Sequence, residues 1–166
     1  MIRTETLGDA AAIEAVTASA FLNAPHTDHT EQFIVAALRA AGALSISLVA
    51  EDAGSIVGHV AVSPVTISDG SSDWYGLGPI SVLPARQGEG IGTALMRAAI
   101  TALRELSAAG CVVLGEPAYY GRFGFKAAPE LVLPGVPAEY FMAVQFRDGA
   151  LPDGDVFYHA AFAASE

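Results

Sequence analysis

The chain predicts a mixed α/β fold in one domain spanning residues 1–166. Three observations carry that expectation. Stretches in which apolar residues alternate are interleaved with stretches in which they recur at three- and four-residue steps. A glycine-rich turn, Arg86-Gln87-Gly88-Glu89-Gly90-Ile91-Gly92, joins one stretch of each kind. A length of 166 residues, 52% of them apolar, suits a single core.

The elements follow in order. Ile2 to Leu7 alternates as a first strand, and Asp9 stands as N-cap of a helix from about Ala10 to Phe21. Asn23 to His29 reads as a loop. Thr30 then caps a second helix, whose Phe33, Ile34, Ala37, Leu38 and Ala41 share a face and which ends at Gly42. Ser45 to Glu51 and Ser55 to Ile67 form two antiparallel strands joined at Asp52-Ala53-Gly54. The turn Asp69 to Asp73 leads into a strand from Trp74 to Val82, which stops at Pro84. Ile91, Leu95, Ala98, Ala99, Ala102, Leu103 and Leu106 mark a long helix, and Cys111 to Gly115 a short buried strand. Glu130 to Leu133 and Phe141 to Arg147 read as late strands around the Pro134 to Pro137 break.

The turn at Arg86 to Gly92 is an anion site on elementary grounds. Glycines at alternate positions leave the backbone bare where a helix begins, so unpaired N–H groups can point at one ligand, and the helix dipole favours phosphate there. A dinucleotide fingerprint fails, because Thr93 stands where the last glycine is needed, and no Gly-Lys-Ser/Thr tripeptide offers a nucleotide loop. What fits is Gln-x-x-Gly-x-Gly, as Gln87, Gly90 and Gly92, and there the chain resembles the GNAT superfamily of N-acetyltransferases. A second stretch agrees: after the Cys111 strand, Tyr119-Tyr120-Gly121-Arg122-Phe123-Gly124-Phe125 is similar to that superfamily's other cofactor motif. Leu77 to Val82 before the loop and Tyr119 to Phe125 after it most resemble its YhbS-like branch.

The resemblance covers nearly the whole chain and implies one central, twisted, mainly antiparallel sheet of six to seven strands flanked by helices, with a V-shaped splay for acetyl-coenzyme A. It implies that Arg86, Gln87, Gly88, Glu89, Gly90, Ile91, Gly92 and Thr93 surround the pyrophosphate, with Arg86 the nearest cation. The backbones of Ile80, Ser81 and Val82 would meet the pantetheine. Tyr120, four residues before Gly124, takes the position at which family members keep a tyrosine near the thioester sulfur. A phenol, with an ordinary pKa of about 10, holds a proton at neutral pH and can give it to a departing thiolate. A rotation of the short helix would exchange it with Tyr119.

The acceptor side is less specific. His26, Asp28, His29 and Glu31 cluster between the first two helices, and Glu116 adjoins the second motif. Each could bind an ammonium or take its proton, and each equally suits a solvated loop or cap. The His-x-Asp-His spacing lacks a second half, so no metal is expected. A net charge of −10 argues against nucleic acid and anionic membranes. It permits a cationic amine as partner, although solubility alone accounts for it. Yet residues 86–126 hold five of the eight basic residues and only three of the eighteen acidic ones. Charged residues interrupt every long apolar run and the N-terminus lacks a signal-peptide core, so a cytoplasmic protein is expected. Lone Cys111 reads as a small buried hydrophobe. Two functions are compatible with these residues: an acetyl-CoA-dependent N-acetyltransferase acting on a small-molecule or peptide amine, and a non-catalytic acyl-CoA-binding or sensor module on the same fold. Whether the chain works as monomer or homodimer is not encoded legibly.

Overall fold

A computed structural model describes residues 1–165. Strand β1 (Ile2–Thr4) precedes helices α1 (Ala10–Phe21) and α2 (Glu31–Ala40). Strands β2 (Ile46–Asp52), β3 (Ser55–Pro64), β4 (Thr66–Ile67) and β5 (Trp74–Val82) lead to the long helix α3 (Ile91–Glu105). Then come β6 (Gly110–Leu114), the short α4 (Pro117–Tyr120), β7 (Lys126–Ala127), β8 (Leu131–Val132), β9 (Phe141–Gln145) and β10 (Gly154–Phe157). The main sheet has seven strands in the order β1-β2-β3-β5-β6-β9-β7, and every neighbouring pair is antiparallel except β5 with β6. The mixed α/β architecture is the expected one.

Helix α3 covers one face. Its Leu95, Met96, Ala99 and Leu103 are buried against Val60, Val62, Leu77 and Met142 of the sheet. Each fully buried Leu or Met contributes about 2 kcal/mol of hydrophobic stabilisation. Helices α1 and α2 cover the other face through Ile13 and Val35 against Val49 and Ala61. Both α2 and α3 end in a Schellman motif. Gly42 (φ 69°) and Ser107 (φ 60°) turn left-handed, and the next amide reaches back to the helix, Ala43 to the Leu38 carbonyl at 2.9 Å and Ala108 to that of Leu103 at 3.1 Å.

Several boundaries depart from the sequence reading. The first strand stops at Thr4, because the Thr6 amide donates to the Asp9 carboxylate at 2.7 Å and opens a 3-10 turn. Asp9 is therefore not a side-chain cap of α1; its carboxylate holds Thr6 and Arg3. Thr30 occupies the N-cap of α2, but its carbonyl rather than its side chain accepts, from Phe33 and Ile34. The expected strand Ser55–Ile67 breaks after Pro64, and Thr66–Ile67 leaves to pair with β10 in a second, three-stranded sheet, β4-β10-β8. Two-residue β7 and four-residue β10 carry no alternation long enough to read.

The feature that places the site is the parting of β5 and β6. Their parallel pairing runs Trp74↔Gly110, Tyr75↔Cys111, Gly76↔Val112 and then ends, although β5 continues to Val82. From Leu77 onward β5 pairs only with β3, leaving one edge open.

Candidate active site

The open edge of β5 runs into the glycine loop. Gln87 Nε2 donates to the Val82 carbonyl at 3.2 Å and ties the loop to the strand end. Gly88 and Gly90 hold φ of 83° and 85°, a left-handed conformation that costs any residue with a Cβ roughly 1 kcal/mol or more. The amides of Arg86 and Gln87 bond to Leu83 and Pro84, and Ala94 closes the first turn of α3 on Gly90. Among the described residues, the intervening amides of Gly88 to Thr93 have no acceptor. They are the orphan donors of a helix start, extended by the loop before it.

Those amides face a cleft of about 520 Å³. Ile80, Val82 and every residue from Arg86 to Thr93 except Glu89 line it, and Tyr119 and Arg122 close its far side. A Cβ built on Gly88 or Gly90 would meet nothing within 4 Å, whereas one on Gly92 would stand 3.0 Å from Tyr119 Oη, inside the cleft. Bare amides, open space above the glycines and a floor without side chains fit a diphosphate.

Of the residues expected here, Glu89 and Ser81 are absent from the lining, and for Ser81 only the backbone is expected to take part. Glu89 turns outward to Arg86, at 2.9 Å. Arg86 lies at the rim with its guanidinium shared between Glu89 and Asp52, the latter at 3.0 Å, so part of its charge is already matched. Ser81 points to the opposite face, where its Oγ is buried without a partner beside its cross-strand neighbour His59.

The two tyrosines of α4 separate by position. Tyr119 leans over the α3 N-terminus, its hydroxyl near Gly92, while burial raises its pKa and the Arg122 charge opposes the rise. Tyr120 packs its ring against Gly115 and edge-on to Phe125, at 6.2 Å between centroids. Burial, with the Tyr119 phenol beside it, pushes Tyr120 up to about 12, so it is protonated at neutral pH. Among the described residues no hydrogen bond perturbs its hydroxyl.

None of the acceptor-side residues lines the cleft. His26, Asp28 and His29 are exposed on the α1–α2 loop, the two histidines left-handed at φ 55° and 59°. Both oxygens of Glu31 lie 2.7 Å from the Thr27 hydroxyl, which makes Glu31 a clasp of that loop. Glu116 is exposed, and its carbonyl accepts from Tyr119 and Tyr120.

Tyr119, expected only as an exchange for Tyr120, lines the cleft and Tyr120 does not; sequence reasoning missed Arg122 as a lining residue, and also Tyr158. The Tyr158 ring lies over Gly76, the last residue of β5 paired to β6, where any Cβ would overlap it. Burial raises the Tyr158 pKa, with Cys111 and Tyr120 adding to it, so a second neutral phenol stands at the fork of the splay. Only the bare Gly76 in a strand hinted at such a close approach.

Comparison with known proteins matches this geometry. Residues 43–127 fit the model of the acetyltransferase (GNAT) domain. The chain is 34% identical to the uncharacterized N-acetyltransferase YhbS of Escherichia coli K12, over 98% of each. The crystal structure of a GNAT family acetyltransferase from Brucella melitensis, in complex with acetyl-CoA, superposes with a TM-score of 0.87 at 51% identity, covering 98% of this chain and 97% of that one. E. coli YhbS in complex with CoA also superposes with a TM-score of 0.87, at 33% identity, covering 98% of this chain and 91% of that one. A loop of free amides at the end of a splayed strand, carried on a fold shared over almost its whole length, places this chain in the GNAT family of acetyltransferases.

Proposed function

We propose that this protein, as a single domain, moves an acetyl group from acetyl-CoA to a primary amine of a small molecule or peptide. The observation that carries the reading is the run of unpartnered amides from Gly88 to Thr93 opening onto an unpaired strand edge. The amides and the α3 dipole bind the diphosphate of the carrier, and the open edge of β5 at Ile80 to Val82 offers backbone groups to its pantetheine amides. That arrangement directs the thioester into the fork, towards Tyr120. The bound co-substrate supplies an activated acyl group. The neutral amine attacks the thioester carbonyl, and as the tetrahedral adduct breaks its C–S bond the Tyr120 hydroxyl gives its proton to the departing sulfur, while the proton lost by the nitrogen passes to solvent, from which the phenolate is reprotonated. Tyr119, near Gly92, belongs to the phosphate end.

A panel of primary amines incubated with acetyl-CoA, read by release of free thiol, tests the reading. Release that depends on an added amine supports it. Release without amine identifies a hydrolase. CoA binding with no release from any amine, unchanged in Tyr120→Phe, identifies the acyl-CoA-binding module instead.

A further inference from the structure

Among the described residues, two buried polar atoms, His59 Nδ1 and Ser81 Oγ, have no hydrogen-bond partner, and their residues are cross-strand neighbours on β3 and β5. Orphans of this kind are rare enough in folded proteins to call for an explanation. Their donor and acceptor roles follow from the groups beyond them. Glu5, held ionised by Arg39, can only accept, so the Ser47 hydroxyl gives its one proton to Glu5. Ser47 Oγ then accepts from His59 Nε2–H, at 2.8 Å, and the imidazole, kept neutral by burial, presents Nδ1 as a bare lone pair. Ser81 carries the proton that this lone pair lacks. Cross-strand partners hold their Cβ atoms about 5 Å apart, a gap that one turn of the Ser81 rotamer or one water closes. The two ends of this row lie in different places. Ser81 stands on the edge of β5 that β6 leaves open, between Ile80 and Val82, whereas Glu5, Arg39 and Ser47 line a surface cleft of about 510 Å³ beside the C-terminal end of α3. His59 and Ser81 are 0% and 2% exposed, so they exchange protons with solvent only through their neighbours.

We propose that Ser81, His59, Ser47 and Glu5 form a proton path that carries the proton of the attacking amine from the open edge of β5 to solvent. The inference rests on the function proposed above and names the route by which that proton leaves. As the nitrogen bonds to the thioester carbon, its proton passes to Ser81 Oγ, directly or through one water, and the Ser81 proton passes to His59 Nδ1. The His59 Nε2 proton moves to Ser47 Oγ and the Ser47 proton to Glu5, which releases it into the cleft. One proton moving back in from solvent, for the Tyr120 phenolate, returns each group to its starting tautomer, so the cycle neither gains nor loses a proton. Glu5 and Arg39 are the charged groups that act on His59, while α1, packed over β3, turns Ile13, Val16 and Thr17 inward and Glu14 to solvent.

Ser81→Ala and Ser47→Ala interrupt the path, and Ser63→Ala removes a buried, unpartnered hydroxyl of β3 that lies outside it. Thiol release with the fastest amine of the panel, at saturating acetyl-CoA, is followed from about pH 7 to 9 beside CoA calorimetry and thermal melts. Removing an orphan hydroxyl from a packed interior does not cost stability. Ser81→Ala should therefore keep Tm and CoA affinity yet turn over on the order of tenfold more slowly at neutral pH. The deficit of both path variants should shrink as pH rises, because hydroxide then takes the proton directly, while Ser63→Ala should match the wild type throughout. Wild-type turnover in Ser81→Ala, a deficit that is the same at every pH, or an equal deficit in Ser63→Ala overturns the path and leaves the proposed function standing. No amine-dependent release from the wild type overturns both.

Discussion

At the end of α4, adjacent tyrosines hold different ground: Tyr119 reaches the Gly92 end of the cleft, and Tyr120 lies between Gly115 and Phe125. Removing only the Tyr120 hydroxyl keeps the ring packing. Tyr120→Phe should therefore lower turnover at saturating acetyl-CoA by about 100-fold or more while CoA affinity and Tm stay close to wild type. Tyr119→Phe should do the reverse, weakening CoA binding with a smaller effect on turnover; thiol-release kinetics beside calorimetry separate the two. The sequence placed Tyr120 by its distance from Gly124 but could not orient it, because the rotation of a four-residue helix is set by what its rings pack against.

In the loop and α3, backbone conformation and free space make separable demands on neighbouring glycines. Gly90 is left-handed and its Cβ would meet nothing, so Gly90→Ala should lower stability by roughly 1 kcal/mol through strain. Gly92 lies inside α3 and is not left-handed, so Ala there suits the helix and places a methyl group at the cleft floor, 3.0 Å from Tyr119 Oη. Gly92→Ala should keep or raise Tm yet weaken CoA binding about tenfold or more, a split that thermal melts and calorimetry resolve. This part of the fold was legible because glycine spacing and the three-to-four-residue period of α3 are local signals. The second sheet was not, since β4 and β8 have two residues each and are defined by their pairing with β10. Tyr158 was hidden for the same reason: it reaches Gly76 only through the tertiary fold.

Across the molecule, an interior polar chain links the sheet to the surface. Arg39 grips Glu5 with two bonds of 2.9 Å, Glu5 accepts from the Ser47 hydroxyl, and Ser47 lies 2.8 Å from His59 Nε2. Burial lowers the His59 pKa from 6.5 to about 4; Glu5 opposes the shift and Arg39 adds to it. Burial alone would raise Glu5, but Arg39 and Ser47 hold it below its ordinary value. Because the folded pKa of His59 is depressed, its contribution to stability is fully present above pH 6.5 and is lost as pH falls towards 4, amounting to roughly 3 kcal/mol at most. Urea unfolding at pH 7.5 and 4.5 should show this loss in the wild type and a flatter profile in His59→Gln. Glu5 adds a further loss as pH falls through its ordinary value of about 4.5 and below.

The same folding that buries this chain parts β5 from β6 and aims the α3 amides into the gap, and the proposed chemistry depends on that gap receiving a thioester carrier. Calorimetric titration of the purified protein with CoA measures this directly. The structure predicts saturable uptake of one CoA per chain, weakened in Gly92→Ala; an absence of uptake by the folded wild-type protein would contradict it.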